Sequence, residues 1–155
     1  MNSILLVDDE TVICTEFART LEGLGFEVEV APDVESGLSC AESTQFNAIL
    51  VEFNLRSERS LHPRTGKGLQ PVRQLRALEV SAPVLMFTAM EGELYERGSL
   101  DAGVDDFFAK TTSIPSLISR LRAHIPHPQV PTEFGWEGGL KESLNLTALN
   151  PELFE

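Results

Sequence analysis

The sequence predicts an α/β domain in which a five-stranded parallel sheet is covered by helices on both faces. Two observations predict it. Apolar runs of strand length alternate five times with segments whose apolar residues recur every three or four positions, the pattern of βα repeats joined by right-handed crossovers. The first run is apolar throughout rather than alternating, as a strand covered on both faces requires. With 155 residues, 42% of them apolar, the chain supports one domain with a real core and some length to spare.

Residues 3–7 are the first strand. Ile13, Phe17, Leu21 and Leu24 then recur at helical spacing, and Gly25, a common residue just past a helix end, stops that helix. Residues 26–30 alternate, which places the second strand nearer a sheet edge. Val34, Leu38 and Ala41 mark a shorter second helix with Asp33 as its cap. The third strand is 48–53, interrupted near its end by Glu52, a charge that costs several kcal/mol to bury uncompensated. Leu69, Val72, Leu75 and Leu78 give a third helix face, 84–87 a fourth strand, and 91–100 a helix despite Gly98. Residues 104–108 are the fifth strand. Ile114, Leu117, Leu121 and Ile125 mark the last helix, capped by Ser113 and tolerant of Pro115 in its first turn.

The charge is acidic, 12 basic against 24 acidic residues for a net of −12. That disfavours nucleic acid as a main partner, because a duplex-binding surface needs clustered Lys and Arg. Cys14 and Cys40 fall inside helices without metal-ligand spacing and are expected to be buried, reduced thiols. The apolar run 4–7 lacks a basic leader and stops at two aspartates, so it is no signal peptide. No run reaches the ~20 apolar residues of a membrane span. A soluble cytoplasmic protein is the expectation.

In parallel sheets of this kind chemistry gathers at the carboxyl ends of the strands. Asp8 and Asp9 follow strand one, Glu52 ends strand three, Thr88 follows strand four and Lys110 follows strand five. Singly, each has a plain reading: a charge at a helix N-terminus for Asp8-Asp9-Glu10, a helix cap for Thr88, a solvated charge for Lys110. Jointly they form an acidic pocket. Clustered carboxylates repel unless a cation intervenes, and hard oxygen ligands suit Mg²⁺. A hydroxyl and an ammonium suit phosphoryl oxygens.

Four motifs carry a family resemblance: "ILLVDDE" at 4–10, "AILVEFNL" at 48–55, "PVLMFTA" at 83–89 and "AGVDDFFAK" at 102–110. In that order on those strands they resemble the receiver domain of two-component response regulators, over residues 1–125. The resemblance implies a flavodoxin-like three-layer sandwich with strand order 2-1-3-4-5. It also implies a non-enzymatic signalling module that takes a phosphoryl group from a histidine kinase onto an aspartate and engages a downstream effector. By position, Asp8 and Asp9 match the acidic pair that helps hold Mg²⁺ and Thr88 the switch hydroxyl. Phe107 matches the aromatic that follows the switch, and Lys110 the lysine that contacts the phosphoryl group.

The phosphoacceptor position is Glu52 here. One extra methylene carries the carboxylate roughly 1.3 Å further, and in-line transfer is sensitive to displacements of that size. Ordinary phosphotransfer is expected to be lost. Two readings stay open: an active-like receiver, or a glutamate that only preserves a charge pairing with Lys110. A displaced third ligand also predicts that Mg²⁺ binds weakly or not at all, since that ion demands near-ideal octahedral geometry. The family's proline after the lysine is replaced by Thr111, so a trans bond is expected. The stretch 56–68 carries four basic residues against one acidic, +3, leaving −15 on the remainder with 8 basic and 23 acidic. It is expected either to stay solvated or to reach the acidic pocket or an acidic partner.

Residues 126–155 lie beyond the resemblance. Three prolines and three glycines surround Trp136, and Leu140, Leu144, Leu146, Leu149, Leu153 and Phe154 follow with few charges. The expectation is a docking segment or a disordered tail, too short for a DNA-binding or catalytic effector domain. The face of helix four, strand five and helix five, with Leu94, Tyr95 and Phe107, is the expected partner surface, homodimer face or docking site of the tail. Two rival functions remain: an ordinary phosphoacceptor, and a Mg²⁺-dependent phosphohydrolase, which lacks a paired acid motif for nucleophile and general acid.

Overall fold

β1 (Asn2–Val7) is apolar and buried from Ile4 to Val7 because successive side chains of a strand enter opposite layers. Ile4 and Leu6 pack on one side with Phe17, Leu21 and Leu117. Leu5 and Val7 pack on the other with Val72 and Leu75. The computed structural model describes residues 1–52, 69–89 and 92–125. Around β1 it arranges β2 (Phe26–Ala31), β3 (Ala48–Val51), β4 (Val84–Thr88) and β5 (Asp106–Ala109). The sheet order is β2-β1-β3-β4-β5 and all four pairings are parallel. Helices α1 (Thr11–Gly23) and α5 (Ile114–His124) contribute their apolar faces to one layer. Helices α2 (Val34–Ser43), α3 (Gln70–Ala77) and α4 (Glu93–Ala102) contribute to the other. This is the expected three-layer sandwich.

Local signals act as read. The Asp33 carboxylate accepts the Ser36 N–H at 2.7 Å and the Ser113 hydroxyl accepts the Ser116 N–H at 3.4 Å, each satisfying an orphan donor of a first turn. Gly25 takes φ +91°, beyond the end of α1, a conformation that costs glycine little. Within α2, a Cβ on Gly37 would lie 2.8 Å from Val7 Cγ2, so the missing side chain lets the helix settle onto β1.

Several boundaries differ from expectation. β3 ends at Val51, one residue before Glu52, and β5 begins at Asp106 rather than 104, because β5 pairs only with β4, from Leu85↔Asp106 to Thr88↔Ala109. α4 begins at Glu93 and reaches Ala102, past Leu100. Leu78 is the cap after α3 and is 38% exposed, since the apolar spacing outruns the helix. Cys40 is only half-buried, its thiol 3.1 Å from Glu29 Oε1, while Cys14 is buried as expected. Both are free thiols.

Candidate functional site

Parallel strands bring their carboxyl ends to one edge, and the backbone ladder sets the residues there side by side. The Asp8 N–H donates to the Ala31 carbonyl (3.1 Å) and the Glu52 N–H to the Val7 carbonyl (2.9 Å), which seats Glu52 next to Asp8. The Lys110 N–H donates to the Thr88 carbonyl at 2.7 Å, seating the lysine beside the end of β4. Asp8, Glu52 and Thr88 are all buried.

The side chains complete the constellation. Lys110 Nζ lies 2.8 Å from Asp8 Oδ2, 2.8 Å from Glu52 Oε2 and 3.9 Å from Glu10 Oε1. The ammonium side chain is 13% exposed and the Asp8 and Glu52 carboxylates 3% each, so these are charges in a poorly solvated place. Asp8 Oδ1 accepts the Glu10 N–H at 2.9 Å, and the Cys14 thiol donates to the Asp8 carbonyl at 3.6 Å. Lys110 Nζ also sits 5.9 Å from the centroid of the Phe87 ring, which stacks on Phe17 at 4.6 Å.

Burial alone would pull the Lys110 pKa down. The hydrogen bonds to Asp8 and Glu52, with their charges, outweigh it and hold the ammonium above the ordinary lysine value. Burial first, and then the Asp8 carboxylate, push the Cys14 thiol up to about 12, so it is an inert packing group rather than a nucleophile.

The expected ion pair of Glu52 with Lys110 is found at 2.8 Å, and the same ammonium donates a hydrogen bond to Asp8 Oδ2. Asp9 follows at the same edge, half-exposed. Phe107 is half-buried against the α2–α3 layer. Lys110–Thr111 is trans, as no cis peptide occurs among the described residues. The side chains of Leu94 and Tyr95, the loop 56–68 and the segment 126–155 lie outside the described residues. The reading of the sequence missed Phe87 and Phe17 beneath the lysine, and Glu10 as its third carboxylate. Phe87 directly precedes Thr88, so strand alternation alone points it into the α1–α5 layer.

Mg²⁺ is poorly matched to this arrangement. Both Asp8 oxygens are engaged and Glu52 Oε2 faces the ammonium. Among the described residues no three His, Cys, Asp or Glu side chains are disposed to hold a metal.

The family pattern of the response regulator receiver domain matches residues 4–122. The chain belongs to the response regulator receiver domain family. The receiver is 32% identical over 120 residues to the response regulator MprA of Mycolicibacterium vanbaalenii, covering 77% of this chain and 48% of that protein. It therefore spans about half the length of the curated relatives it matches. The chemotaxis protein CheY4 of Vibrio cholerae shares the fold at TM-score 0.69 and 24% identity, over 81% of this receiver and 99% of that chain. The receiver domain of a Pseudomonas aeruginosa sensor histidine kinase aligns at TM-score 0.64 and 28% identity, over 79% and 96% of the two chains. That neighbour was solved with a magnesium ion coordinated in its active-site cleft. The family is one of two-component signalling modules. No helix among the described residues of the receiver is long and apolar enough to cross a membrane.

Proposed function

We propose that this receiver is an atypical one, a cytoplasmic protein-interaction module of phosphorelay signalling that does not take up a phosphoryl group in the ordinary way. The observation that carries the reading is Glu52. It directly follows β3 at the sheet's carboxyl edge, is buried, and sets Oε2 2.8 Å from Lys110. At the phosphoacceptor position a glutamate keeps the charge but fills part of the space a phosphoryl group needs, and displaces the attacking oxygen from its in-line path.

In this reading Asp8 and Asp9 are the acidic pair, with Mg²⁺ bound weakly or not at all. Thr88 and Phe107 stand at the switch positions, and Lys110 pairs with Glu52 instead of with phosphoryl oxygens. Residues 1–125 are the receiver unit and 126–155 an extension. The partners are a histidine kinase or a downstream effector, with the face of α4, β5 and α5 available for them or for a second copy.

Incubation with acetyl phosphate and Mg²⁺, read by intact-mass spectrometry, tests the reading. The wild-type chain is expected to stay unlabelled, and Glu52→Asp, with its shorter reach, to gain one phosphoryl group. Labelling of wild type to the same extent as the Asp variant would mean an ordinary phosphoacceptor.

A further inference from the structure

Among the described residues, two hollows with mostly apolar walls lie between α1 and α5. One hollow of about 360 Å³ is lined by Val12, Glu16, Phe17, Thr20, Phe87, Lys110 and Ile114. A second of about 480 Å³ is lined by Leu24, Ile114, Pro115, Ile118, Ser119 and Arg122. Ile114 belongs to both, so they form one groove running from the charged cluster down α5. Val12 is 77% exposed, Leu24 43% and Ile114 37%, apolar groups left in water on both walls. Two further hollows among the described residues have more polar residues in their walls: Glu96, Thr111, Thr112 and Arg120 beside β5, and Glu42, Gln45, Glu79 and Ser81, beside apolar Phe46, Ile49 and Leu78, between the ends of α2 and α3.

We infer that the segment 140–154 of this same chain docks in the α1–α5 groove. Its chemistry fits, with six large apolar residues, Leu140, Leu144, Leu146, Leu149, Leu153 and Phe154, and with Glu142 and Glu152 to meet Arg122 at the lower rim. Its reach fits as well. The groove's lower part follows α5, and the chain leaves α5 at Ile125. The 14 intervening residues, with prolines at 126, 128 and 131 and glycines at 135, 138 and 139, span up to roughly 45 Å extended. The 11 residues of α5 rise only about 16 Å. Tethering raises the segment's effective concentration to the millimolar range, which makes even a weak contact well populated. The inference is independent of whether Glu52 accepts a phosphoryl group.

A photo-reactive benzoylphenylalanine placed in the full chain at Val12, and separately at Ser119, tests it, both positions being exposed. Trypsin cuts after Lys141 and releases 142–155 as one peptide. Irradiation is expected to join that peptide to the probe in a product of monomer mass. The Leu146→Asp, Leu149→Asp double variant, with unchanged circular dichroism, is expected to lower the yield about tenfold, the cost of ~1.4 kcal/mol of docking energy. A chain that gives no 142–155 product, or a yield indifferent to the aspartates, overturns the inference. So does a product at twice the monomer mass, which would put a second copy in the groove.

Discussion

At the scale of single residues the buried charge balance turns on Lys110. Lys110→Met leaves Asp8 and Glu52 facing each other without a cation, and breaking a buried pair this way costs on the order of 3–5 kcal/mol. Glu52→Gln leaves the Lys110–Asp8 pair in place, so its cost is expected to be smaller, about 1–3 kcal/mol. Urea unfolding of the two variants checks the order. The pH dependence follows from the raised pKa. Protonated Lys110 is favoured in the folded state, so its contribution is whole below the ordinary lysine value of 10.5 and fades as pH climbs through the higher folded value. The stability gap between wild type and Lys110→Met is therefore expected to narrow above that pH. The thiols give a further check. Iodoacetamide at pH 8 is expected to modify half-buried Cys40 slowly and Cys14 only in denaturant, since burial holds the Cys14 pKa near about 12. The Glu52–Lys110 pairing was legible in the sequence because a carboxylate at a buried strand end needs a cation and the family resemblance singled out Lys110. The part taken by Asp8 was not, because it depends on how the ends of β1, β3 and β5, with β4 between the last two, line up at one edge.

At the scale of elements, two contacts fix how helices sit on the sheet. Gly37→Ala improves helix propensity by up to about 1 kcal/mol but drives a Cβ to 2.8 Å from Val7 Cγ2, and overpacking of that kind costs roughly 1–3 kcal/mol. A lower melting temperature is expected, with recovery when Val7→Ala is added. Arg76, in the last turn of α3, donates to the carbonyls of Gly103, Val80 and Ala82 and pairs with Asp105 at 2.7 Å. Only a planar, five-donor fork serves four partners at once, so Arg76→Lys is expected to destabilise nearly as much as Arg76→Ala in thermal unfolding. Helix starts were legible, since Asp33 and Ser113 carry their own capping chemistry. The ends of β5 and α3 were not, because a partner strand and the packed layer decide where they stop.

At the scale of the whole molecule, the βα alternation revealed the layers, and the family motifs, rather than periodicity, supplied the strand order. Calorimetric titration with Mg²⁺ is expected to show weak binding or none in wild type, with gain on Lys110→Ala if the ammonium is what fills the site. The strand order also shapes how the chain comes to be folded. β1 is sandwiched between strands made after it, with Ile4 set against both Val28 and Ala48. No hairpin can make a parallel pair, and each closure costs chain entropy before any contact repays it. During synthesis β1 therefore waits, unpaired and apolar, until β2 has emerged at residue 31, and lacks its second partner until β3 ends at residue 51. Pulsed hydrogen exchange during refolding is expected to protect Leu6 and Leu50 ahead of Phe108. A nascent chain stalled before residue 48 is expected to recruit a chaperone that one stalled after α5 does not.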